Sequence, residues 1–245
     1  MDIKLIETYT DLFLQISKQI KENCSIKGNV LLSNLLKSSA RSTRDLDMSV
    51  YNSEIYYECV VPELERFANS FPDTTYTIRD ITETHSGGIT IKDSSNKVLF
   101  KVDVSLSSRS LSGAVLYNFS GEEAYGSSVE KILCDKCITT LSEKRYRRIK
   151  DFYDIYIIVS SRMEYDPLRV LDLMLEKVGV QEVISLFNNI PFNEESMSKL
   201  NHAWNKLELH NAFTEEKIQK PDFSTLLIDV YNFYNKVRLS LNERR

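Results

Sequence analysis

The sequence predicts an α+β protein whose strands lie in the first two-thirds of the chain and whose C-terminal third is helical. Residues 98–106 alternate apolar and polar side chains, which is typical of a strand with one buried face. Residues 3–21 place apolar side chains at helical spacing instead, with Lys and Glu between them. The periodic segments after Pro167 are helical as well. We therefore predict one domain that contains the sheet, residues 1–160, and a helical domain, residues 161–245.

Length and composition restrict the class of protein. The chain has 245 residues, of which 42% are hydrophobic, and this suffices for one full domain with a buried core and a smaller one. No apolar run approaches the roughly 18 residues that a membrane span needs, and the N-terminal residues lack the apolar region of a signal peptide. The four cysteines show no secreted disulfide framework. We therefore predict a cytoplasmic protein without a membrane partner.

The net charge limits the partners that are expected. A formal charge of −4 argues against a protein that coats nucleic acid without specificity, because such proteins carry a broad basic footprint. The same charge is compatible with a local basic groove.

Between the first helix and the C-terminal third, further segments have clear periodicity. A Gly87-Gly88 pair predicts a turn before one of the strands, and Ser128 is a suitable hydroxyl cap for a helix. The predicted elements are helices at 30–37 and around 55–68, strands at 75–81, 88–92 and 98–106, and helices that begin near residues 128, 167, 180, 193 and 222.

Asp45-Leu46-Asp47 is the most informative short motif. Side chains alternate along a strand, so a strand here directs both carboxylates to one face and Leu46 to the core. Two carboxylates on one face suit Mg²⁺, which takes oxygen ligands and usually keeps waters and substrate phosphates in its shell. A strand end with two solvated acids is the alternative interpretation of the motif alone.

Two other features have the same double interpretation. Lys27-Gly28-Asn29 lies directly before a predicted helix, whose N-terminus offers N–H groups and a positive dipole to phosphate, but Gly28 also fits an ordinary turn. Asp103 lies beside Lys101 on the polar face of the strand at 98–106, and a solvated sheet face would have the same pattern. Cys134-x-x-Cys137 lacks the second pair or the histidines of a zinc site, so both cysteines are expected to pack a helix.

The first of two family resemblances concerns the acids. Arg41-x-Thr43-x-Asp45-Leu46-Asp47 resembles the R-x-T-x-D-h-D segment of the AbiEii family of bacterial nucleotidyltransferase toxins, which are DNA polymerase β-like nucleotidyltransferases. Lys101-Val102-Asp103-Val104 is similar to a K-h-D-h strand of that family. The chain departs from the family at Asn29, where a second small residue is usual, although Asn tolerates a left-handed backbone better than most residues.

The second resemblance is the more specific one. Lys136, in Cys134-Asp135-Lys136, occupies the place of a family lysine, and residues 148–156, RIKDFYDIY, are similar to its R-x-K-D-h-Y-D-h-Y segment almost residue for residue. Together the two resemblances cover roughly residues 25–160. They imply a polymerase β-like nucleotidyltransferase domain with a mixed β-sheet, followed by the helical C-terminal domain.

The resemblance also implies a reaction. An acceptor hydroxyl attacks the α-phosphate of an NTP and pyrophosphate leaves, with Mg²⁺ held by Asp45, Asp47 and Asp103. Asp103 is a further candidate for the base that orients or deprotonates the hydroxyl. Lys136 is expected to neutralise triphosphate charge, with Asp151 a catalytic candidate beside it. The residues expected to bind the nucleotide are Lys27, Gly28, Asn29, Arg41 and Thr43.

The implied partners are RNA, particularly a tRNA 3′ end, as acceptor, and a cognate antitoxin protein. The candidates for RNA contact are Arg145, Arg147, Arg148 and Lys150, a run that also fits a solvated basic helix end. Asp151 and Asp154 lie three residues apart, on one face of the predicted helix. They could orient Lys136 or pair with the arginines, and the alternative is an ion-pair cluster on the helix surface.

Two alternative functions remain open: nucleotidyl transfer to a protein or small molecule, and a catalytically inactive binding module.

Overall fold

A computed structural model of the chain describes residues 5–81, 86–107, 113–143, 145–190 and 192–243. The chain forms two compact units. Unit 1 comprises Met1–Ser127 and His210–Glu216, and unit 2 comprises Ser128–Leu209 and Lys217–Arg245. The compact units do not test the predicted domain boundary at residue 160, which stays a prediction.

Unit 1 combines a sheet with α-helices, the first of which precedes the first strand. The helices are α1 (Leu5–Ile20), α2 (Gly28–Leu36), α3 (Ser53–Ile55) and α4 (Val61–Asn69), and a π-helical turn, Tyr56–Val60, connects the last two. The strands are β1 (Cys24–Lys27), β2 (Asp45–Val50), β3 (Thr75–Arg79), β4 (Ser86–Lys92), β5 (Val98–Leu106), β6 (Ala114–Phe119) and β7 (Glu122–Ser127).

Among the described residues these strands form one seven-stranded mixed sheet in the order β3-β4-β5-β2-β1-β7-β6. The pairs β2–β5 and β1–β7 are parallel, and the remaining neighbours are antiparallel. The central position of β2 between β1 and β5 places the predicted acid motif in the interior of the sheet. The α+β prediction with a mixed sheet that carries the acids is confirmed.

One face of the sheet forms the core of unit 1. Leu46 and Met48 on β2 are fully buried, as are their neighbours Phe100 and Val102 on β5. Phe100 packs edge-on against Tyr9 of α1, with ring centroids 5.9 Å apart, and also contacts two phenylalanines at α4. Burial of a side chain of this size stabilises the fold by about 2 kcal/mol. Because this face of the sheet is covered by helices, the polar side chains of β2 and β5 lie on the opposite face.

Unit 2 is helical in the part of the chain that the structure describes. Its helices are α5 (Val129–Leu141), α6 (Ile149–Ser160), α7 (Pro167–Val178), α8 (Val180–Asn188), α9 (Glu194–Lys206) and α10 (Phe223–Glu243), with a 3₁₀ turn, Arg145–Arg148, before α6. Side chains of Ser128, Asp166 and Asn193 accept backbone N–H bonds at the starts of α5, α7 and α9. The predicted helix starts near 128, 167 and 193 are confirmed. None of the described helices has the length and apolar character that a membrane crossing requires.

Three differences from the predicted elements have physical reasons. Strands β1, β6 and β7 were not predicted. β1 has only four residues, β6 is a short apolar run without alternation, and β7 carries two glutamates, Gly126 and Ser127 without a regular pattern. The predicted turn at Gly87-Gly88 is wrong, since both residues lie inside β4. The C-terminal third is not wholly helical: Ser42 N donates to His210 O over 2.7 Å, and a backbone bridge pairs Arg41 with Asn211.

Candidate active site

The polar face of the sheet brings the predicted acids together in one row. Lys27 on β1, Asp47 on β2 and Asp103 on β5 are successive register partners. Asp45, two residues before Asp47 on the same face, pairs in register with Lys101. Three acids therefore stand on two adjacent strands, with lysines at neighbouring positions.

The Asp47 carboxylate lies directly against the backbone of Gly28. Gly28 has φ +66°, and a Cβ built there would lie 2.3 Å from Asp47 Oδ2. Any side chain at this position would displace the carboxylate, and the left-handed backbone would strain a residue with a Cβ. Glycine therefore allows the Asp47 carboxylate to lie against the first turn of α2, where Asn29 follows.

Asp103 is held by two cations. Lys101 Nζ donates to Asp103 Oδ2 over 2.6 Å, and Arg79 Nη2 donates to Oδ1. Burial alone would raise the pKa of the Asp103 carboxyl, but the hydrogen bonds and charges of Lys101 and Arg79 outweigh it and lower this pKa below its ordinary value. The ionised form of Asp103 is therefore favoured.

The segment that leads into β2 contacts both α1 and β5. Tyr9 donates its hydroxyl to Arg44 O over 2.6 Å and accepts from Lys101 N over 3.0 Å. Burial, with the charge of Asp45 as a minor contributor, raises the pKa of Tyr9, so the phenol remains a donor. Thr43 Oγ1 lies 3.5 Å from the backbone N of Asp45. These contacts fix the direction in which β2 begins.

Arg41 is only 8% exposed, and its Nη1 lies 3.4 Å from Ser42 O. Because it is buried, Arg41 helps to hold the segment that leads into β2.

Lys27 extends along the row of acids and donates to Ser105 Oγ over 2.6 Å, and Ser49 Oγ lies 3.1 Å from Ser105 Oγ. A hydroxyl pair therefore adjoins the acids.

In unit 2, Lys136 lies between two buried carboxylates. Its Nζ is 2.6 Å from Asp154 Oδ2 and 3.2 Å from Asp151 Oδ1. Asp154 is fully buried and Asp151 is 6% exposed. Arg148 Nε donates to Asp151 Oδ2 over 2.6 Å, and Thr139 contacts the same oxygen. α5 and α6 thus hold two cations against two acids, and the catalytic roles of Lys136 and Asp151 stay predictions.

The four RNA-contact candidates have different surroundings. Arg145 is 6% exposed, donates to the carbonyls of Leu141 and Ser142 at the end of α5, and stacks over Phe192 at 4.3 Å. Burial lowers its pKa. The Arg148 side chain is 51% exposed and pairs with Asp151. Arg147 and Lys150 are exposed as well.

The carboxylates fit Mg²⁺ in part. Over the described ranges, no three His, Cys, Asp or Glu side chains are arranged as a metal-binding group. Mg²⁺ commonly takes one or two carboxylates together with substrate phosphates, and Asp45 and Asp47 on one face of β2 provide that donor set. Both oxygens of Asp103 accept from cations instead, so its role as a metal ligand stays a prediction.

Two residues of this site had no signal in the sequence. Arg79 ends an ordinary alternating strand, and Tyr56 belongs to a helix without a motif. Tyr56 Oη donates to Arg79 O and accepts from Gly88 N, both over 2.8 Å. The Gly87-Gly88 pair was the one sequence feature noted in this region. The sequence does not show which strands lie beside such a pair in the sheet.

Three solved structures have similar folds, and two of them are described as nucleotidyltransferases or nucleotidyltransferase-like. A candidate nucleotidyltransferase from H. pylori aligns over 100% of this chain and 99% of its own, with 14% identity and a TM-score of 0.56. JHP933 from Helicobacter pylori aligns over 97% and 95%, with 13% identity and a TM-score of 0.49. An antigenic nucleotidyltransferase-like protein from Paracoccidioides brasiliensis aligns over 80% and 93%, with 18% identity and a TM-score of 0.46. At 14% identity, the similarity to the first of these structures concerns the fold alone.

The comparison with protein families is more informative. No curated protein matches the sequence. Residues 13–229 match the family described as nucleotidyl transferase AbiEii toxin, type IV TA system. This match spans both motifs in which the resemblance was seen and most of the helical part of the chain, so the predicted resemblance is confirmed. The chain belongs to the AbiEii family of nucleotidyltransferase toxins of type IV toxin–antitoxin systems.

Proposed function

We propose that this nucleotidyltransferase toxin moves a nucleotide from an NTP to the 3′ hydroxyl of RNA, in particular tRNA, and that the transfer depends on Mg²⁺. Family membership establishes nucleotidyl transfer, an NTP substrate and an antitoxin partner. The observation that carries the proposal is the acid row, in which Asp45 and Asp47 share one face of β2 and Asp103 is the register partner of Asp47.

The roles of the acids follow from their surroundings. Asp45 and Asp47 would hold the metal ion, which when bound supplies Lewis-acid stabilisation of the charge that develops on phosphate. Gly28 leaves room for the Asp47 carboxylate beside the first turn of α2. The N–H groups of that turn are suited to phosphate oxygens, because a helix N-terminus carries partial positive charge. Asp103 keeps two cations beside the acids.

RNA is the acceptor that the charge distribution favours. Arg147 is exposed on the 3₁₀ turn of unit 2, and Lys150 is exposed in the first turn of α6. Beside them Tyr146 is exposed, and the guanidinium of Arg147 lies 5.7 Å from its ring centroid. An exposed aromatic ring with a neighbouring cation suits single-stranded nucleic acid, in which bases stack and phosphates pair with cations.

The test is transfer of label from each α-labelled NTP to RNA, with Mg²⁺ or with EDTA. We expect label in tRNA only when Mg²⁺ is present, and none in tRNA whose 3′-terminal diol has been destroyed by periodate. Label in periodate-treated tRNA would contradict attack by the 3′ hydroxyl. Label in a protein band without RNA would favour a protein acceptor, and transfer that persists in EDTA would contradict the metal requirement.

A further inference from the structure

The acid row extends beyond the residues predicted from sequence. Asp103 pairs in register with Gly88 of β4, and Gly88 pairs with Arg79 of β3. Arg79 therefore lies two strands away from the acid, with only a glycine between them. Its guanidinium reaches across Gly88 to Asp103 Oδ1.

Only glycine fits at position 88, where the Arg79 side chain crosses β4. Its φ is +131°, and a Cβ there would lie 1.9 Å from Val102 O and 3.2 Å from Arg79 Nη2. At φ +131° a residue with a side chain would be strained, and the Cβ would also meet the backbone of β5. The position thus provides a gap in the polar face through which the arginine extends.

A second set of contacts fixes the backbone of Arg79. Tyr56, which is fully buried, donates its hydroxyl to Arg79 O and accepts from Gly88 N. Burial raises the pKa of this phenol, so it remains protonated. Gly87 makes room for the hydroxyl, because a Cβ at Gly87 would lie 2.5 Å from Tyr56 Oη. The π-helical turn that begins at Tyr56 is a feature often found at functional sites.

The ion pair with Asp103 does not account for the whole of this arrangement. Asp103 already has Lys101 as a counter-ion, and the Arg79 and Asp103 side chains are 41% and 24% exposed, so their pairing contributes little stability. Among the described residues Arg79 Nε is buried without a hydrogen-bond partner. An unsatisfied buried donor is uncommon, and a bound ion or ligand often explains one.

We propose that Arg79 binds a phosphate group of the nucleotide substrate, with Tyr56 and Asp103 as the residues that position it. The planar guanidinium forms strong, often paired hydrogen bonds to phosphate oxygens. Asp103 holds the side chain over the acid row in the absence of nucleotide. This inference rests on the proposed function, because it assumes that the nucleotide binds at the acid row.

The test measures equilibrium binding rather than turnover. Each of the four common ribonucleoside triphosphates is titrated with Mg²⁺ by calorimetry, without RNA, into the parent, Arg79→Ala and Arg79→Gln. Arg169→Ala is the matched control, because Arg169 is exposed to a similar degree, 44%, on α7 in unit 2. Circular dichroism and thermal unfolding establish that each variant is folded. Arg79 Nη2 also donates to Gly87 O over 3.2 Å, and Arg79→Gln retains an N–H donor at this position.

We expect the Kd for the triphosphate to rise about tenfold to hundredfold in both Arg79 variants, as for loss of a hydrogen bond between charged groups. Binding of Mn²⁺ alone should be unchanged or tighter, since Asp103 loses a competing cation. Triphosphate binding equal to that of the parent would overturn the inference and leave Arg79 as a counter-ion of Asp103. A parent protein that binds no triphosphate would overturn the proposed function together with this inference.

Discussion

Asp47 and Asp103 stand opposite each other as register partners on the parallel strands β2 and β5, and cations surround the second of them. Like charges directly opposite across a sheet are destabilising. Lys101 and Arg79 offset this repulsion at Asp103, whose lowered pKa reports that its ionised form is favoured in the fold. The pair is therefore compatible with a stable sheet before any substrate is bound.

The first prediction concerns acid stability. Because the pKa of Asp103 is lowered in the fold, its ionised form stabilises the protein above the unfolded-state pKa of about 3.9, and this contribution is lost as pH falls through the lower folded value. Asp103→Asn should lower the free energy of unfolding near pH 6, and the difference should shrink as pH falls to about 3. Urea unfolding in EDTA, at a series of pH values, measures the free energy of unfolding of each protein. Asp11→Asn, exposed on α1, is the control. A difference that is independent of pH would contradict the ion cluster.

The second prediction tests the contact between Gly28 and Asp47. Gly28→Ala introduces a Cβ at a position only 2.3 Å from the carboxylate, so Asp47 must move. We expect weaker Mn²⁺ binding by the free protein, measured by electron paramagnetic resonance, and a loss of stability of about 1–2 kcal/mol from the left-handed backbone.

Gly121→Ala is the matched control for this substitution. Gly121 also has a positive φ, +102°, but nothing lies within 4 Å of a Cβ there. The control should therefore lose stability without losing Mn²⁺ affinity. Equal Mn²⁺ affinity in Gly28→Ala and the parent would show that Asp47 does not hold the metal.

The third prediction concerns the buried charges of unit 2. Lys136→Ala leaves Asp154, which is fully buried, without its 2.6 Å partner. Removal of one member of a buried ion pair should lower the free energy of unfolding by about 3–5 kcal/mol, and Lys136→Met combined with Asp154→Leu should recover much of this. Lys131→Ala, on the same helix with a partly exposed partner, should cost below about 1 kcal/mol. A Lys136→Ala protein as stable as the parent would contradict the buried pairing.

The fourth prediction separates two arginines of the basic run. Arg147→Glu with Lys150→Glu should raise the KM for RNA and reduce its salt dependence by about 0.7 log unit per tenfold salt for each lost phosphate contact. Affinity for NTP should change little. Arg145→Ala should instead lower stability, because the side chain is buried against Phe192 and the end of α5. Arg169→Glu is the charge control. Salt slopes equal to the parent's would exclude this surface as the RNA site.

Much of the site was predictable because its residues form local patterns. The strand period predicted that Asp45 and Asp47 share a face while Leu46 is buried, and the register adds Asp103 directly beside them. The family motif marked Lys136 and Asp151. The resemblance and the enzyme class are confirmed by the family match, and the individual roles of these residues stay predictions.

The remaining features depend on contacts between segments that are distant in the sequence. Arg79 and Asp103 are 24 positions apart, and their proximity follows from the pairing of β3, β4 and β5. Asn211 belongs with unit 1 through a backbone bridge to Arg41, which no periodicity indicates. Arg145 had the same charge as Arg147 in the sequence, and only packing distinguishes the buried side chain from the exposed one.

The central claim is that Asp45 and Asp47 hold the metal ion for nucleotidyl transfer, and one measurement tests it most directly. Transfer of an α-labelled NTP to tRNA is compared for the parent, Asp47→Asn and Ser49→Ala, the last on the same face of β2 two residues later. We expect Asp47→Asn to abolish transfer with unchanged circular dichroism and Ser49→Ala to retain it. Transfer at the parental rate by folded Asp47→Asn would contradict the account.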